Sequence, residues 1–559
     1  MKEEIAKIIS RSSKVLYEDA IHLIEVPTNS SFGDYSFPCF VLAKKLNNNP
    51  VEVAKELSEE LNKTKHKGIY LIEHKGAYLN FFIDRRIFAA NLLKEFEKNK
   101  FGYVKQDNKK VVIEFSQPNT HKAFHVGHIR GTSIGESLSR ILEYHGNKVI
   151  RVNYSGDTGM HVAKWIWGYT KFHNKEKLKD DEKWIAGIYV DAVKRLEENK
   201  EYESEVELVN QKIVSREDKK LNDIWKKSRS HSIKSWKPIY KDLNTRFDKH
   251  YFESQVEEDG RIIAEGLLDK EIASRDDAIF INLDEYELGV WVLVRKDGTV
   301  LYSAKDIALA YKKTRELPAD EYFVLVADEQ KRHFEQLLKT LELMKFLKKE
   351  HYKSLTFGLV KLPHGKMSSR TGDNVLYSDF INELSEHARK GLEKRGEKKN
   401  LKERARIIAI SAIKYPMLKQ DQNKQIVFDP KSAISFEGDT GPYLLYSYAR
   451  ANSIIKKIKG FKKIKVKDLK VNFISDIENN LIKKIYIFPD IVTRAYQQKT
   501  PNLIANYAYE LSKLFNEFYH QVAVIGSPEE KFRAKLVEAF MKTLKRCCDL
   551  LGIDVLEEM

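Results

Sequence analysis

Cysteine is scarce in this sequence, and its scarcity excludes two kinds of structural site. The chain of 559 residues holds only Cys39, Cys547 and Cys548. These positions give no disulfide framework, and none forms the C-x-x-C spacing of a structural zinc site. A reducing, cytoplasmic environment is therefore expected.

Long apolar runs are missing as well. No segment reaches the length of about 20 apolar residues that a membrane-spanning helix requires, and the N-terminal segment lacks the apolar core of a signal peptide. We therefore expect no membrane partner. Two catalytic signatures are also absent, the phosphate-binding G-x-x-x-x-G-K-[ST] loop and the zinc-binding H-E-x-x-H helix.

What the chain does have is length and positive charge. Its length is too great for one hydrophobic core and indicates two to four domains. The net charge is +16, with a hydrophobic content of 42%. Such a balance favours a polyanionic partner, most plausibly nucleic acid. A lysine-biased proteome explains the same charge equally well.

A strand–helix–strand pattern over residues 110–153 predicts an α/β core. The run VVIEF is followed by a helical stripe that Gly146 ends, and then by the strand KVIRVN. This length fits a right-handed crossover between parallel strands. Another strand–helix unit over 321–344 and the strand LTFGLV extend the alternation, so a doubly wound parallel sheet is expected.

The segments around this core have patterns of their own. Residues 1 to about 100 read as a small α+β unit, and the chain from about residue 436 reads as helical to its end. Its run of eight lysines from Lys456 to Lys470 is more typical of a solvated face than of a binding site. The remaining local predictions are helices near the start and over 50–61, two strands over 69–83 around Lys75-Gly76, a helical insertion over 170–260, a hairpin over 290–302 with Asp297-Gly298 at its turn, and a helix from Lys305.

The most informative stretch is EFSQPNTHKAFHVGHIRG, from Glu114 to Gly131. A strand feeds a polar loop, and His125 and His128 then stand three residues apart at the start of a helix, on one face. Gly127 between them leaves room for a ligand, and the helix N-terminus offers free N–H groups to phosphate. The pattern predicts a nucleotide site, although two structural histidines would explain the four residues HVGH alone.

A second stretch, HGKMSSRTG, supplies groups suited to an anionic phosphate chain. Lys366 and Arg370 bring positive charge, and Ser368 and Ser369 bring hydroxyl donors.

Together the two stretches resemble the paired nucleotide signatures of class I aminoacyl-tRNA synthetases. The resemblance to the arginyl-tRNA synthetases is closer and covers nearly the whole chain. The motifs that carry it, in the family's order, are FGDYSFPCFVLAKKL, GAYLNFF, EFSQPNTHKAFHVGHIRG, VNYSGDTG, LYSAKDIALAY, ADEQKRHFEQ, FGLVKLPHGKMSSRTG, GDTGPYLLYSYAR and LLGIDVLEEM.

This resemblance implies a fold and a reaction. The implied fold is a class I, Rossmann-type doubly wound parallel sheet with an N-terminal α+β appended domain and a C-terminal all-helical anticodon-binding domain. The implied boundaries are 1–105, 106–435 and 436–559, with insertions in the catalytic domain near 165–260 and 265–300. The implied activity is that of an arginine–tRNA ligase, which uses ATP to join L-arginine to tRNA(Arg). The chain is expected to act as a monomer.

The resemblance also assigns an arginine site. Arginine brings a planar cation with five donors, and its recognition requires carboxylates. Glu114 and Asp306 stand where the family holds its arginine-binding acids; in isolation they would pass for a strand-end residue and a helix N-cap. The full implied set is Glu114, Asn119, His125, Tyr302, Asp306 and Gln330, with Asn119 on the α-amino group.

For ATP the resemblance implies a second set. The binding residues are His125, Gly127, His128, Lys366, Met367, Ser368 and Ser369, and the catalytic ones are Lys122, His125, His128 and Lys366. Ser369 departs from the lysine of the general class I loop, and Lys122, shortly before the first histidine, is expected to replace it. ATP is expected to arrive with Mg²⁺ as a substrate complex, and no tightly bound protein metal is expected.

Contacts with tRNA are implied at four positions. Asn80 matches an elbow-reading asparagine of the appended domain, with a plain turn residue as the alternative. Tyr446, Tyr519 and Met559 fall where anticodon contacts occur in relatives, although aromatic residues at helical spacing are more often core.

Two other functions stay open from the sequence. One is another class I ligase, such as a cysteine or methionine enzyme; this chain lacks the cysteines for the zinc thiolate site that many cysteine enzymes use. The other is a non-catalytic tRNA-binding relative, against which the intact HVGH, Lys122 and GKMSS count.

Overall fold

A computed structural model describes the chain except for residues 14, 28, 30–31, 347–350, 362, 364–375 and 470. The contacts divide the chain into two compact units, each built from several segments. The first unit comprises Met1–Tyr103, Ile454–Ile487 and Leu514–Phe540, and the second comprises Val104–Ser453, Phe488–Lys513 and Met541–Met559.

The strands alternate with helices along much of the chain. The strands are β1 (Tyr35–Pro38), β2 (Ile69–Lys75), β3 (Tyr78–Ile83), β4 (Lys110–Glu114), β5 (Lys148–Ser155), β6 (Lys249–Phe252), β7 (Ser274–Arg275), β8 (Ile279–Asn282), β9 (Val290–Val294), β10 (Glu321–Ala327), β11 (Tyr352–Phe357), β12 (Val360–Lys361) and β13 (Ile426–Val427). The helices are α1 (Lys2–Ser12), α2 (Tyr17–Leu23), α3 (Phe40–Leu46), α4 (Pro50–Asn62), α5 (Arg85–Glu97), α6 (Val126–Tyr144), α7 (Met160–Phe172), α8 (Glu182–Glu198), α9 (Tyr202–Ser215), α10 (Lys219–Asp242), α11 (Glu257–Asp269), α12 (Tyr302–Glu316), α13 (Lys331–Leu343), α14 (Tyr377–Lys394), α15 (Leu401–Lys419), α16 (Pro430–Ala433), α17 (Gly441–Lys457), α18 (Asp476–Tyr486), α19 (Phe488–Gln498), α20 (Asn502–Gln521) and α21 (Glu530–Leu551).

The first unit contains a three-stranded antiparallel sheet in the order β1-β3-β2. The predicted helix over 50–61 is confirmed as α4, which begins at Pro50 because the Asn49 side chain accepts a hydrogen bond from the Val51 N–H at 2.9 Å. The two strands predicted over 69–83 are confirmed as β2 and β3.

Ion pairs within the first unit join its N-terminal residues to α18. Arg85 pairs with Asp476 at 2.8 Å, and Lys483 pairs with Asp34 at 2.5 Å. The first unit therefore includes helices from the last quarter of the chain as well as the N-terminal α+β segment. The three-domain division drawn from the sequence stays a prediction.

The second unit holds a five-stranded parallel sheet in the order β11-β10-β4-β5-β6. The chain runs outward from β4 through β5 to β6 on one side, and through β10 to β11 on the other. The predicted doubly wound sheet is confirmed. Ligands in such sheets bind outside the carboxyl ends of the strands where the order reverses, which here is between β4 and β10.

Helix α6 packs unusually close to the end of β4. A Cβ placed on Gly135 would lie 2.2 Å from Cγ of Phe115, so only glycine permits this approach. The buried Arg130 side chain donates to the carbonyl oxygens of Gly358 at 2.6 Å and Lys424 at 2.8 Å. These contacts fix the helix that carries both predicted histidines.

Both predicted insertions have structure of their own. The segment over 170–260 is helical through α8, α9 and α10, as predicted, but its later part contributes β6 to the parallel sheet, so the prediction of a purely helical insertion is wrong there. Strands β7, β8 and β9 form an antiparallel sheet. The predicted hairpin over 290–302 has its turn at Gly298, but only one bridge, from Val294 to Val300, stands where a second strand was expected. Helix α12 begins at Tyr302, three residues before the predicted start, so the last residue of the predicted hairpin belongs to a helix.

None of the described helices is both long enough and apolar enough to cross a bilayer.

Candidate functional site

A cleft of about 600 Å³ opens where the strand order reverses. It is bounded by the end of β4, the start of α6, the start of α12 and the end of β10. Eight residues predicted from the sequence line it together: Glu114, Asn119, His125, Gly127, His128, Tyr302, Asp306 and Gln330.

The loop between β4 and α6 is held in an unusual backbone conformation. Ser116, Gln117 and His121 adopt positive φ values of 80°, 50° and 63°, a region that costs non-glycine residues on the order of 1–3 kcal/mol each. The surrounding structure compensates, because the Gln117 N–H donates to Asn153 Oδ1 at 3.1 Å and the His121 N–H donates to Ser232 Oγ at 3.0 Å. Backbone strain of this kind is concentrated at functional sites.

His125 and His128 cap helix α6 with their rings stacked, 3.8 Å between centroids. Nδ1 of His125 accepts a hydrogen bond from the Gly127 N–H, and Nδ1 of His128 accepts one from the His125 N–H, both at 3.2 Å. Since each Nδ1 is an acceptor, each neutral ring carries its proton on Nε2. Both Nε2–H groups are therefore donors.

Burial and a neighbouring lysine keep these two rings neutral. Burial, reinforced by the positive charge of Lys122, lowers the pKa of His125 to about 4. Burial also lowers the pKa of His128, with smaller contributions from His125 and Lys122. Lys122 is half-buried, and its Nζ lies 5.4 Å from the centroid of the Tyr189 ring. It does not line the cleft itself, but its charge acts on both histidines.

The Glu114 carboxylate is already paired in this structure. Lys313 Nζ contacts its Oε2, and both side chains are only 2% exposed. Gln117 Nε2 donates to Oε1 at 3.0 Å. Burial alone would lower the pKa of Lys313, but Glu114 outweighs it and the pKa is raised. The sequence predicted that the Glu114 carboxylate binds a ligand. In the structure Lys313 already acts as its counter-ion.

Asp306 has a neutral partner instead. Nε2 of His333 lies 2.7 Å from Asp306 Oδ2, and Nδ1 of the same ring accepts from the indole N–H of Trp291 at 3.3 Å. Because indole can only donate, the His333 proton sits on Nε2 and is donated to Asp306. These two hydrogen bonds orient the Asp306 carboxylate without neutralising its charge.

A further carboxylate, Glu253, lines the cleft and was missed by the sequence analysis. Burial, together with Asp157 and Asp306, raises the pKa of Glu253 to about 7, although Lys305 opposes the shift. A Cβ placed on Gly156 would lie 2.5 Å from Asn119 Oδ1 and 3.0 Å from Glu253 Oε1. These two oxygens therefore converge on one spot, and the absence of a side chain at Gly156 leaves room for them.

Tyr302 and Gln330 stand at the open side of the cleft. Tyr302 is 62% exposed, and Glu253, burial and Asp306 all raise the pKa of its phenol. Gln330 is exposed at the end of a short 3₁₀ turn that follows β10.

The second nucleotide motif cannot be placed. Lys366, Met367, Ser368 and Ser369 lie outside the described residues. Their roles stay predictions.

The four residues predicted to contact tRNA lie in different elements. Asn80 is in β3, 4% exposed, and its Oδ1 accepts from Ser36 Oγ at 2.5 Å, so the alternative of a turn residue is wrong. Tyr446 is half-buried in α17 and accepts from Arg450 at 2.8 Å. Tyr519, in α20, is 40% exposed, and Met559 is half-buried. Contacts of all four with tRNA stay predictions.

Three functional candidates escaped the sequence analysis: Lys313, His333 and Glu253. His333 lies within the quoted motif ADEQKRHFEQ, where nothing distinguishes it from its charged neighbours. Lys313 follows Asp306 by seven residues, so both lie on one face of α12, and this spacing was an available signal. Glu253 had none. Within the described ranges no group of three or more His, Cys, Asp or Glu residues is placed to hold a metal ion.

Three family models match the chain in succession. Residues 1–83 match the arginyl tRNA synthetase N terminal domain, residues 90–430 match the catalytic domain of tRNA synthetases class I (R), and residues 444–559 match the DALR anticodon binding domain.

Similar proteins match over the whole chain. The curated relatives include the arginine–tRNA ligases of Clostridium acetobutylicum, 33% identical over all of this chain and 99% of the relative, and of Clostridium perfringens, 34% identical over all of both. The arginyl-tRNA synthetase of Thermus thermophilus has a similar structure, with a TM-score of 0.80 and 26% identity over all of this chain and 99% of that one. That of Plasmodium falciparum shares the fold, with a TM-score of 0.78 and 24% identity over all of this chain and 98% of that one. On these matches the chain belongs to the class I arginyl-tRNA synthetase family.

Proposed function

We propose that this protein is an arginine–tRNA ligase. The α-carboxylate of L-arginine attacks the α-phosphorus of ATP, pyrophosphate leaves, and arginyl-adenylate forms. The 2′-hydroxyl of the terminal adenosine of tRNA(Arg) then attacks the arginyl carbonyl, and AMP leaves. The observation that carries the proposal is the single cleft in which carboxylates suited to a cationic side chain lie beside two imidazoles at a helix N-terminus.

Charge balance in the cleft supports Asp306 as the main guanidinium ligand. The Glu114 charge is offset by Lys313, whereas the His333 that holds Asp306 is neutral. Asp306 thus supplies a net negative charge for the guanidinium, which can bind a carboxylate through two parallel hydrogen bonds. Glu114 keeps lone pairs for further contact. Tyr302 and Gln330 are proposed as polar partners.

The α-ammonium group of arginine fits the spot where two oxygens converge. Asn119 Oδ1 and Glu253 Oε1 both point at the space above Gly156, and an ammonium has three donors to share between them. Binding of a cation there would favour the ionised form of Glu253.

For ATP we propose the Nε2–H groups of His125 and His128 as phosphate donors, with Gly127 leaving room for the nucleotide. Neutral donors in fixed positions stabilise charge that develops on the phosphate without reorganisation. The helix dipole of α6 adds to this. Mg²⁺ is proposed to arrive on the triphosphate as part of the substrate.

The tRNA is proposed to span the whole chain. The N-terminal residues 1–105 would read its elbow, residues 436–559 its anticodon, and 106–435 would carry out the chemistry. Asn80, Tyr446, Tyr519 and Met559 remain proposed contacts, and a monomer in the cytoplasm is the proposed working form.

ATP–pyrophosphate exchange with each amino acid, with and without tRNA, tests the proposal. Exchange with arginine alone among the amino acids supports it. Exchange with cysteine or methionine would favour another class I ligase, and binding of tRNA without any exchange or charging would favour a non-catalytic tRNA-binding protein.

Lys122→Ala should lower kcat for adenylate formation about 100-fold, taking ~3 kcal/mol as typical of one lost transition-state contact. Lys122 is proposed to do the work of the lysine that Ser369 replaces. Single-turnover formation of arginyl-adenylate measures the effect, and the KM for arginine should change little.

Two controls sharpen this test. Lys122→Ala with Ser369→Lys should recover part of the rate. The pKa of His125, followed by NMR, should rise in Lys122→Ala, because Lys122 lowers it in the native chain. A native rate in the single variant would show that Lys122 has no catalytic role.

A further inference from the structure

Helix α10 carries an unusual concentration of positive charge on its exposed side. One carboxylate, Asp223, shares that side with its lysines, whereas the whole chain has 97 basic residues against 81 acidic ones. The exposed lysines are Lys219, Lys220, Lys226, Lys227, Lys234, Lys237 and Lys241.

These lysines lie along one face of α10 and form a continuous stripe of positive charge. Lys220, Lys227, Lys234 and Lys241 recur every seven residues, which is close to two helical turns, so they share one face. At a rise of about 1.5 Å per residue, the 24 residues of α10 extend over about 36 Å. None of the seven lysines forms an ion pair in the part of the chain that the structure describes, so all their charge faces solvent.

The opposite side of α10 is fixed against the catalytic loop. Ser228 Oγ lies 2.8 Å from Nε2 of His121, and Ser232 Oγ accepts from the His121 N–H. Arg229 pairs with the buried Asp157 at 2.6 Å. The stripe is therefore a rigid surface, attached directly to the strained loop that leads into the cleft.

The spread of charge identifies the class of partner. A small anion needs donors that converge on one point, whereas these ammonium groups follow a line. An anionic membrane would favour large apolar side chains on the same face, and no large hydrophobic residue of α10 is exposed. A nucleic-acid backbone repeats negative charge along its length and matches a long stripe of lysines.

We propose that the exposed face of α10 binds the phosphate backbone of tRNA near the end that enters the cleft. This inference rests on the proposed function, which requires the terminal adenosine to reach the cleft. The lysines would hold the RNA by charge and contribute no base selection.

The test compares two triple variants of the full chain with equal loss of charge. One is Lys220→Gln, Lys227→Gln and Lys234→Gln. The control is Lys194→Gln, Lys270→Gln and Lys398→Gln, three exposed lysines scattered over other parts of the second unit. Glutamine and lysine have similar helix propensity, and melting temperatures of both variants would confirm folding.

Filter binding of tRNA over a range of salt concentrations gives the main readout. The α10 variant should raise the Kd for tRNA at least tenfold near 0.1 M salt. It should also flatten the slope of log affinity against log salt by about 2, the value expected for three lost phosphate contacts. In native protein, bound tRNA should protect Lys227 and Lys234 from acetylation, as mass spectrometry would detect, and leave Lys194 and Lys270 reactive.

The possible results distinguish a failure of the α10 proposal from a failure of the proposed ligase function. If the native protein charges tRNA while the α10 variant matches the control in Kd and slope, the α10 inference is overturned and the function stands. Tight capture of an acidic protein by α10, without tRNA protection of its lysines, would also overturn it. A native protein that charges no tRNA contradicts the proposed function, and the binding data would still decide whether α10 holds RNA.

Discussion

Replacing Lys313 with methionine should lower the free energy of unfolding by about 3–5 kcal/mol, the usual effect of leaving a buried charge without its partner. Methionine keeps most of the side-chain volume but removes the ammonium that faces Glu114. Both groups are almost fully buried, so water cannot replace the lost contact. The loss should appear as a lower melting temperature and a lower urea midpoint.

A double variant distinguishes lost charge from lost packing. Lys313→Met with Glu114→Gln leaves no uncompensated charge and should recover most of the stability, as should Lys313→Arg alone, which keeps the cation. If Lys313→Met is as stable as the native protein, the ion pair does not contribute as the structure indicates. If the double variant is no better than the single one, the loss comes from packing instead.

The parts of the fold that were predictable from the sequence depend on local patterns. The unit β4–α6–β5 was recognised because apolar residues repeat with the periods of strand and helix, and because Gly146, with a φ of 78°, ends the helix. The start of α4 was recognised from Asn49 and Pro50. Each of these signals lies within a few residues of the feature it specifies.

The candidate site was predictable only in part, for the same reason. His125 and His128 are neighbours in sequence, and their place at a helix start was read from the motif. Glu114 and Lys313 are 199 positions apart, and only the folded sheet and α12 bring them together. Glu253 comes from the segment after β6 with no pattern that marks it.

Backbone conformation in the catalytic loop also escaped prediction. Positive φ is usually read from glycine, but here Ser116 and Gln117 adopt it. Their conformation depends on partners distant in sequence, such as Asn153 and Tyr240. The first unit likewise combines segments that are far apart in sequence, as the pair of Arg85 with Asp476 illustrates.

Asp306→Asn should raise the KM for arginine by a factor of about 30 or more, corresponding to the roughly 2–5 kcal/mol lost when one partner of a desolvated charge pair is removed. Asparagine has nearly the same shape, and its Oδ1 can still accept the hydrogen bond from His333. The variant therefore removes the charge while keeping the local geometry. ATP–pyrophosphate exchange measures the KM for each substrate, and the KM for ATP should change little.

A nearby carboxylate supplies the matched control. Asp328→Asn removes the same charge from an exposed residue that does not line the cleft, so its KM for arginine should stay within about threefold of native, the size of an exposed charge contact. The Asp306→Asn variant should also discriminate less between arginine and its neutral isostere citrulline, because the lost interaction is with the positive charge. Equal increases in the KM for arginine and the KM for ATP would contradict the assignment, since they would indicate a distorted cleft rather than a lost guanidinium ligand.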